Sequence, residues 1–187
     1  MITYVKNIMY PSPEVNFLNE LLKKYEIVGI GEVKLSFKAD TVGDYMQQMP
    51  KGGLNISISG ADLSDYSREI GVCDIDNNNI WVYYPSTEDF NNSPLKNQVN
   101  YEYWRNKIAK NVLFHELIEY FSVNKTHKDF ENMHNIKSVY SLNNCVSVSN
   151  LSFFSTFEEI LEYAYNKEIC PFCERKINLG LKEEIMQ

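Results

Sequence analysis

The segment from 99 to 122, VNYEYWRNKIAKNVLFHELIEYFS, constrains this chain more than any other. Wound as a helix of about 100° per residue, it gathers Trp104, Ile108, Val112, His115 and Glu119 into one arc. Leu113, Phe114, Leu117, Ile118 and Phe121 fill much of the opposite side. A helix that is apolar on both sides has to be covered on both. The pattern therefore predicts a central, buried helix, with His115 and Glu119 one turn apart and facing protein interior or the floor of a cleft. A buried carboxylate without a partner is costly, so Glu119 is expected to have a metal, a cation or a proton beside it.

What covers that helix is read from the rest of the chain. The 187 residues, 44% hydrophobic and 13% aromatic, suit one compact domain with a sizeable core. PSPEVNFLNELLKKY repeats Phe17, Leu18, Leu21 and Leu22 at helical spacing, which predicts a first helix over about 13–25. EIVGIGEVKLSF reads as a strand, DTVGDYMQQM as a short helix and LNISISG as an alternating strand. REIGVCDIDNNNIWVYYP holds two apolar runs around an Asp/Asn-rich tetrad, a hairpin pattern, and STEDFNNSPLKNQ reads as a loop. The expected fold is α+β: a mixed, twisted sheet packed on the central helix, followed by a C-terminal part stapled by a metal. The single domain, 1–187, divides into 1–98 (sheet and helices), 99–123 (central helix) and 124–187 (metal-binding part).

Composition narrows the function. The N-terminus has no apolar run of signal-peptide length, and no stretch approaches the ~18 apolar residues of a membrane span, so a cytoplasmic protein with no membrane partner is expected. A formal charge of -7 with scattered lysines argues against an extensive nucleic-acid surface. In a reducing compartment the four cysteines, two of them in CPFC, point to a metal before a disulfide. Cys-x-x-Cys brings two thiolates to one ion from a tight turn, whereas the redox reading of the motif lacks the preceding strand it requires. Cys73, on an apolar strand, reads as a core thiol. HELIE taken alone is explained by a core histidine bonded to a nearby glutamate.

Taken together with the downstream sequence, these motifs resemble the archaemetzincins. The pattern of that family runs H-E-L-G-H-x-x-G-x-x-H-C, then a second cysteine followed by valine, then a C-P-x-C segment. This chain carries HEL at 115–117, CV at 145–146, FSTFEE at 154–159 and CPFCERKI at 170–177, in that order. The resemblance implies a zincin-like fold and two zinc sites, a catalytic one held by three histidines and a structural one held by four cysteines. For the structural zinc it assigns Cys145, Cys170 and Cys173. Thr126 stands at the first cysteine's place, and His127 is the expected fourth ligand, with His134 as the alternative. The catalytic positions read His115, Glu119 and Lys125, and Ser122 replaces the glycine. His115 and the general-base candidate Glu116 are kept, but a protonated lysine does not bind zinc.

Two outcomes follow from these departures. In one, the Lys125 ammonium lies against Glu119 and His115 in place of the ion, and the protein works by binding. In the other, His115, Glu119 and His127 or His134 hold a second, catalytic zinc, with Glu116 as general base. The first is the main expectation: an inactive archaemetzincin-like zinc protein, a binding or inhibitory module on an intracellular protein or ribonucleoprotein assembly. A ribosome-associated dormancy factor is one such case. Its partner would add a strand to an exposed sheet edge, NISISG or NIWVYY, or meet some of the 13 tyrosines. The alternatives are the active zinc metallopeptidase and a purely structural zinc-stabilised protein.

Overall fold

The computed structural model describes residues 2–7, 32–36, 54–60, 69–122, 144–147, 154 and 156–186. Five strands and four helices lie in these segments: β1 (Ile2–Asn7), β2 (Glu32–Ser36), β3 (Leu54–Ser59), β4 (Gly71–Asp74), β5 (Asn79–Tyr83), α1 (Thr87–Asn92), α2 (Tyr101–Tyr120), α3 (Phe157–Tyr165) and α4 (Pro171–Met186). The strands form one mixed sheet in the order β2-β1-β3-β5-β4. β1 runs parallel to β2 and β3, β3 runs parallel to β5, and only the β4–β5 pair is antiparallel.

The hairpin expected from the Asp/Asn-rich tetrad is this β4–β5 pair, with Gly71 opposite Val82 and Asp74 opposite Asn79. Its turn is held by local polar bonds. Asp74 accepts from the Asn77 backbone at 3.2 Å and from the Asn77 side chain at 2.8 Å. Asn78 takes the left-handed conformation, φ 55°, which asparagine tolerates better than most residues. β5 is buried along its whole length and β3 buries Leu54, Ile56 and Ile58. Each of those three side chains contributes about 1.5–3 kcal/mol relative to leaving it exposed.

NISISG and NIWVYY are thus interior strands with a neighbour on each side, which corrects their reading as sheet edges. Among the described residues the edges are β2 and β4. A second correction concerns STEDFNNSPLKNQ, whose first part is the helix α1 rather than a loop. Ser86 Oγ accepts from the Asp89 backbone at 3.1 Å and Asp89 returns the bond to the Ser86 amide at 2.8 Å, a capping box that starts a helix despite the polar composition. Tyr83 also donates to Asp89, at 2.6 Å, and so ties α1 to the end of β5. β1 is an element that the sequence reading did not identify. The helices expected over 13–25 and in DTVGDYMQQM lie outside the described residues.

α2 is the predicted central helix, capped by Asn100, whose side chain accepts from the Tyr103 amide at 2.8 Å. It touches β4 and β5 as well as α1, α3 and α4. Trp104, Ile108, Val112, Leu113, Phe114, Leu117 and Ile118 are all buried, in one core with β3, β5, α3 and α4. Asn111 and Glu116 are the buried polar residues of this helix; Asn111 serves its neighbours. It is 4% exposed and its amide donates to the carbonyls of Ala164 at 2.8 Å and Lys167 at 2.9 Å. Carbonyls at a helix C-terminus have no intrahelical partner, so one side chain of α2 both finishes α3 and fixes the chain leading to Cys170. Gly180 admits α4 to α2's end, because a Cβ there would overlap the Phe121 ring. No helix among the described residues is long and apolar enough to cross a membrane.

Replacing Asn111 by Leu removes the side-chain donor shared by the Ala164 and Lys167 carbonyls. We expect a stability loss of about 1–3 kcal/mol, read from the urea midpoint. An unchanged midpoint would show that water satisfies these carbonyls equally well.

Candidate metal centre and the adjoining acid cluster

Three of the residues assigned from the sequence to a structural metal meet in the core. Cys145, Cys170 and Cys173 are at most 2% exposed, and their sulfurs lie within 4.8 Å of one another. The Cys145 and Cys173 sulfurs are 3.6 Å apart. Cys170 stands immediately before α4, with Pro171 as the first helical residue, a position suited to proline's fixed φ and missing N–H. The Cys173 amide donates to Cys170 Sγ at 3.4 Å, so the motif forms the first turn of a helix. Cys145 arrives on a short bridge beside Glu168, made by Val146 N to Glu168 O at 2.9 Å and Glu168 N to Asn144 O at 2.7 Å. Ser147 Oγ donates to Cys145 Sγ at 3.2 Å.

The electrostatics of this group favour one negative charge. Hydrogen bonds from the Cys170 and Cys173 thiols, helped by Ser147, hold Cys145 far below the usual thiol range against its burial. The same bonds to Cys145 push Cys170 and Cys173 up. Three buried thiols can all ionise only with a cation among them, and a soft sulfur set of this kind fits zinc. Cys145, Cys170 and Cys173 would hold such an ion, and its chemistry there is structural. His127 and His134, the two expected for the fourth position, lie outside the described residues, as does Lys125.

The second group lies where α2 passes under β4. His115 Nδ1 is 2.7 Å from the Val146 carbonyl; an oxygen that only accepts fixes the proton on that nitrogen. The other ring nitrogen, Nε2, is 3.3 Å from Glu119 Oε1. The buried carboxylate is Glu116, 5% exposed, and not Glu119, whose side chain is 31% exposed; this corrects the expectation placed on Glu119. The reason is positional. One turn after Val112, Glu116 faces β4, and Gly71 is the strand residue it meets. A Cβ at Gly71 would overlap Glu116 Oε1 and Val112 Cγ1. Cys73, read as a core thiol, is half-buried and packs against the core, and its sulfur also lies within 4.8 Å of carboxylate oxygens of Glu116 and Glu119.

Charge in this group is crowded. Burial pushes Glu116 up to about 8, with His115 pulling the other way and Glu119 adding to the rise. Burial, then Glu116 and Glu119, push the Cys73 thiol well above its ordinary range. Glu69 is raised by burial and by Glu119, partly offset by His115. Burial disfavours the charged form of His115, yet the Glu119 hydrogen bond and the two nearby carboxylates outweigh it and hold the ring at about 9. At neutral pH the group therefore holds an imidazolium at His115 and a proton on Glu116.

Sequence reasoning identified His115, Glu116, Glu119 and the cysteine trio. It missed Gly71, Asn111, Val146 and Ser147. A glycine inside a strand and an asparagine inside an apolar helix were available signals. A backbone carbonyl such as that of Val146 leaves none.

No family model and no curated protein matches the chain. Among solved structures it has a distant similarity to the crystal structure of archaemetzincin from Archaeoglobus fulgidus complexed with malonate. The TM-score is 0.49 and the identity 13%, over 94% of this chain and 99% of that one.

The raised groups give stability a sign in pH. Glu116 keeps its proton in the fold up to about 8 but loses it near 4.5 when unfolded; His115 keeps its own to about 9 against 6.5. Between those limits the folded state binds more protons, so stability falls as pH rises from about 4.5 to 9, through Glu116 between about 4.5 and 8 and through His115 between about 6.5 and 9. Thermal unfolding should show this fall, and Glu116→Gln should flatten it; a variant that keeps the wild-type slope would refute the assignment. Gly71→Ala should cost about 1–3 kcal/mol by overpacking against Glu116 and Val112, measured by denaturant unfolding.

Proposed function

We propose that this chain is a zinc-stabilised, zincin-like protein that works by binding and not by hydrolysis. The observation that carries this reading is that both ring nitrogens of His115 are engaged, one by the Val146 carbonyl and the other by Glu119. A ring with a proton on each nitrogen has no lone pair to offer a metal. Glu116, the general-base candidate, is buried under Gly71 and turned toward Glu119. The cysteine trio supplies the stabilising centre, with Cys145, Cys170 and Cys173 holding one zinc.

Binding falls to the edge of the sheet. Among the described residues β4 pairs with β5 alone, and it lies directly over the acid cluster. An extended protein segment that adds to this edge would gain backbone hydrogen bonds along the strand. The partner is a protein surface of a larger intracellular assembly, of which the ribosome is the proposed case.

One observation favours a second reading, the zinc peptidase. Ligand atoms of Cys73, Glu116 and Glu119 lie within 4.8 Å of one another, next to His115. Zinc content separates the two. Native mass spectrometry with elemental analysis should give one ion per chain, retained in His115→Asn and lost in Cys170→Ser. Two ions, together with peptide hydrolysis abolished by Glu116→Gln, would establish the peptidase instead.

A further inference from the structure

The metal centre and the acid cluster meet at one tripeptide, Cys145–Val146–Ser147. Cys145 gives its sulfur to the trio and Ser147 donates to that sulfur. Val146, between them and 1% exposed, gives its carbonyl to His115 and its amide to Glu168. The carbonyl that sets the histidine's proton and ring plane thus belongs to the peptide unit next to a metal-ligating side chain. Nothing soft intervenes: the tripeptide is buried, and its position is fixed by the Glu168 bridge on one side and by the sulfurs on the other.

We propose that the cysteine centre regulates the acid cluster: with the three sulfurs bound to zinc, Val146 is held where it locks His115 onto Glu119, and with the sulfurs free the His115–Glu119 pair is released. This rests on the reading of Cys145, Cys170 and Cys173 as a zinc site. Without a cation the three sulfurs are held by shared protons, as across the 3.6 Å Cys145–Cys173 contact, in place of three bonds to one ion. That change moves Cys145 and, through one peptide unit, the Val146 carbonyl. Unlocking parts Glu119 from the His115 ring under the β4 edge, so the binding face answers to the metal state of a site it does not touch.

Coupling between two sites is reciprocal, and this makes the proposal testable from the loaded, folded protein. If zinc at the cysteines favours the His115–Val146 bond, removing that bond must weaken zinc by the same factor. Zinc affinity is measured by competition with a chromophoric chelator for the wild type, His115→Phe and His115→Asn. Phenylalanine fills the space without a donor, whereas the asparagine amide replaces the Nδ1 proton. His115→Phe should bind zinc about tenfold more weakly and His115→Asn about as well as the wild type. Equal affinity for all three, with zinc bound, overturns the coupling alone. Absence of zinc from the wild type overturns the metal reading and the coupling with it.

A second measurement requires no variant. Long-range nitrogen–proton correlations of the histidine rings in the wild type should show the His115 Nδ1 proton protected with zinc and exchanging after chelation. A proton that stays protected in the metal-free folded protein overturns the proposal.

Discussion

The burial of α2 on both sides is the constraint from which the rest of the structure follows. A helix with Trp104, Ile108 and Val112 on one side and Leu113, Phe114, Leu117 and Ile118 toward the other leaves no solvent face wide enough to keep it at the surface. The sheet has to cover it, and α3 and α4 complete the cover. Each buried polar group on such a helix then becomes a fixed point. Asn111 ends α3, Glu116 selects a glycine on β4, and the half-buried His115 reaches the Val146 carbonyl. Function-bearing side chains are placed here by packing rather than by loops.

The two titratable groups solve related charge problems by different means. In the acid cluster three carboxyls and a thiol surround a single imidazole, and protons settle the excess: Glu116 and Cys73 stay neutral while His115 is charged. In the cysteine trio one thiolate is stabilised by two thiols, and any further ionisation calls for a cation. Lys167, buried 6% exposed and lowered to about 8 chiefly by its burial, feels the Cys145 charge but stacks on the Tyr163 ring at 4.0 Å. The same low-dielectric interior thus makes one cluster a proton store and the other a candidate metal site.

Much of this was legible in the sequence, and the gaps have physical causes. The α2 helix, the β4–β5 hairpin and the β3 strand are dictated by apolar periodicity and turn chemistry, which are local. Cys170 and Cys173 were legible as a pair from their spacing, and the family resemblance joined Cys145 to them. Which carboxylate is buried was not: Glu116 and Glu119 lie on neighbouring arcs of one helix, and the choice depends on Gly71, which is remote in sequence. The strand order was also hidden. Alternation marks NISISG and NIWVYY as strands, but it does not say which of them lies at the edge. α1 was read as a loop because composition was weighed before the Ser86–Asp89 cap.

Cys145 and Cys173 stand 28 positions apart in a chain whose fold brings them together. An ion that the fold gathers on these sulfurs, and that the unfolded chain binds less well, stabilises the fold by the difference in binding free energy. Set against the roughly 5–15 kcal/mol by which domains are typically stable, that difference is large. Held by such an ion, the protein would accumulate in a cell according to the supply of soft cations, with metal-starved chains reaching the proteolytic machinery first.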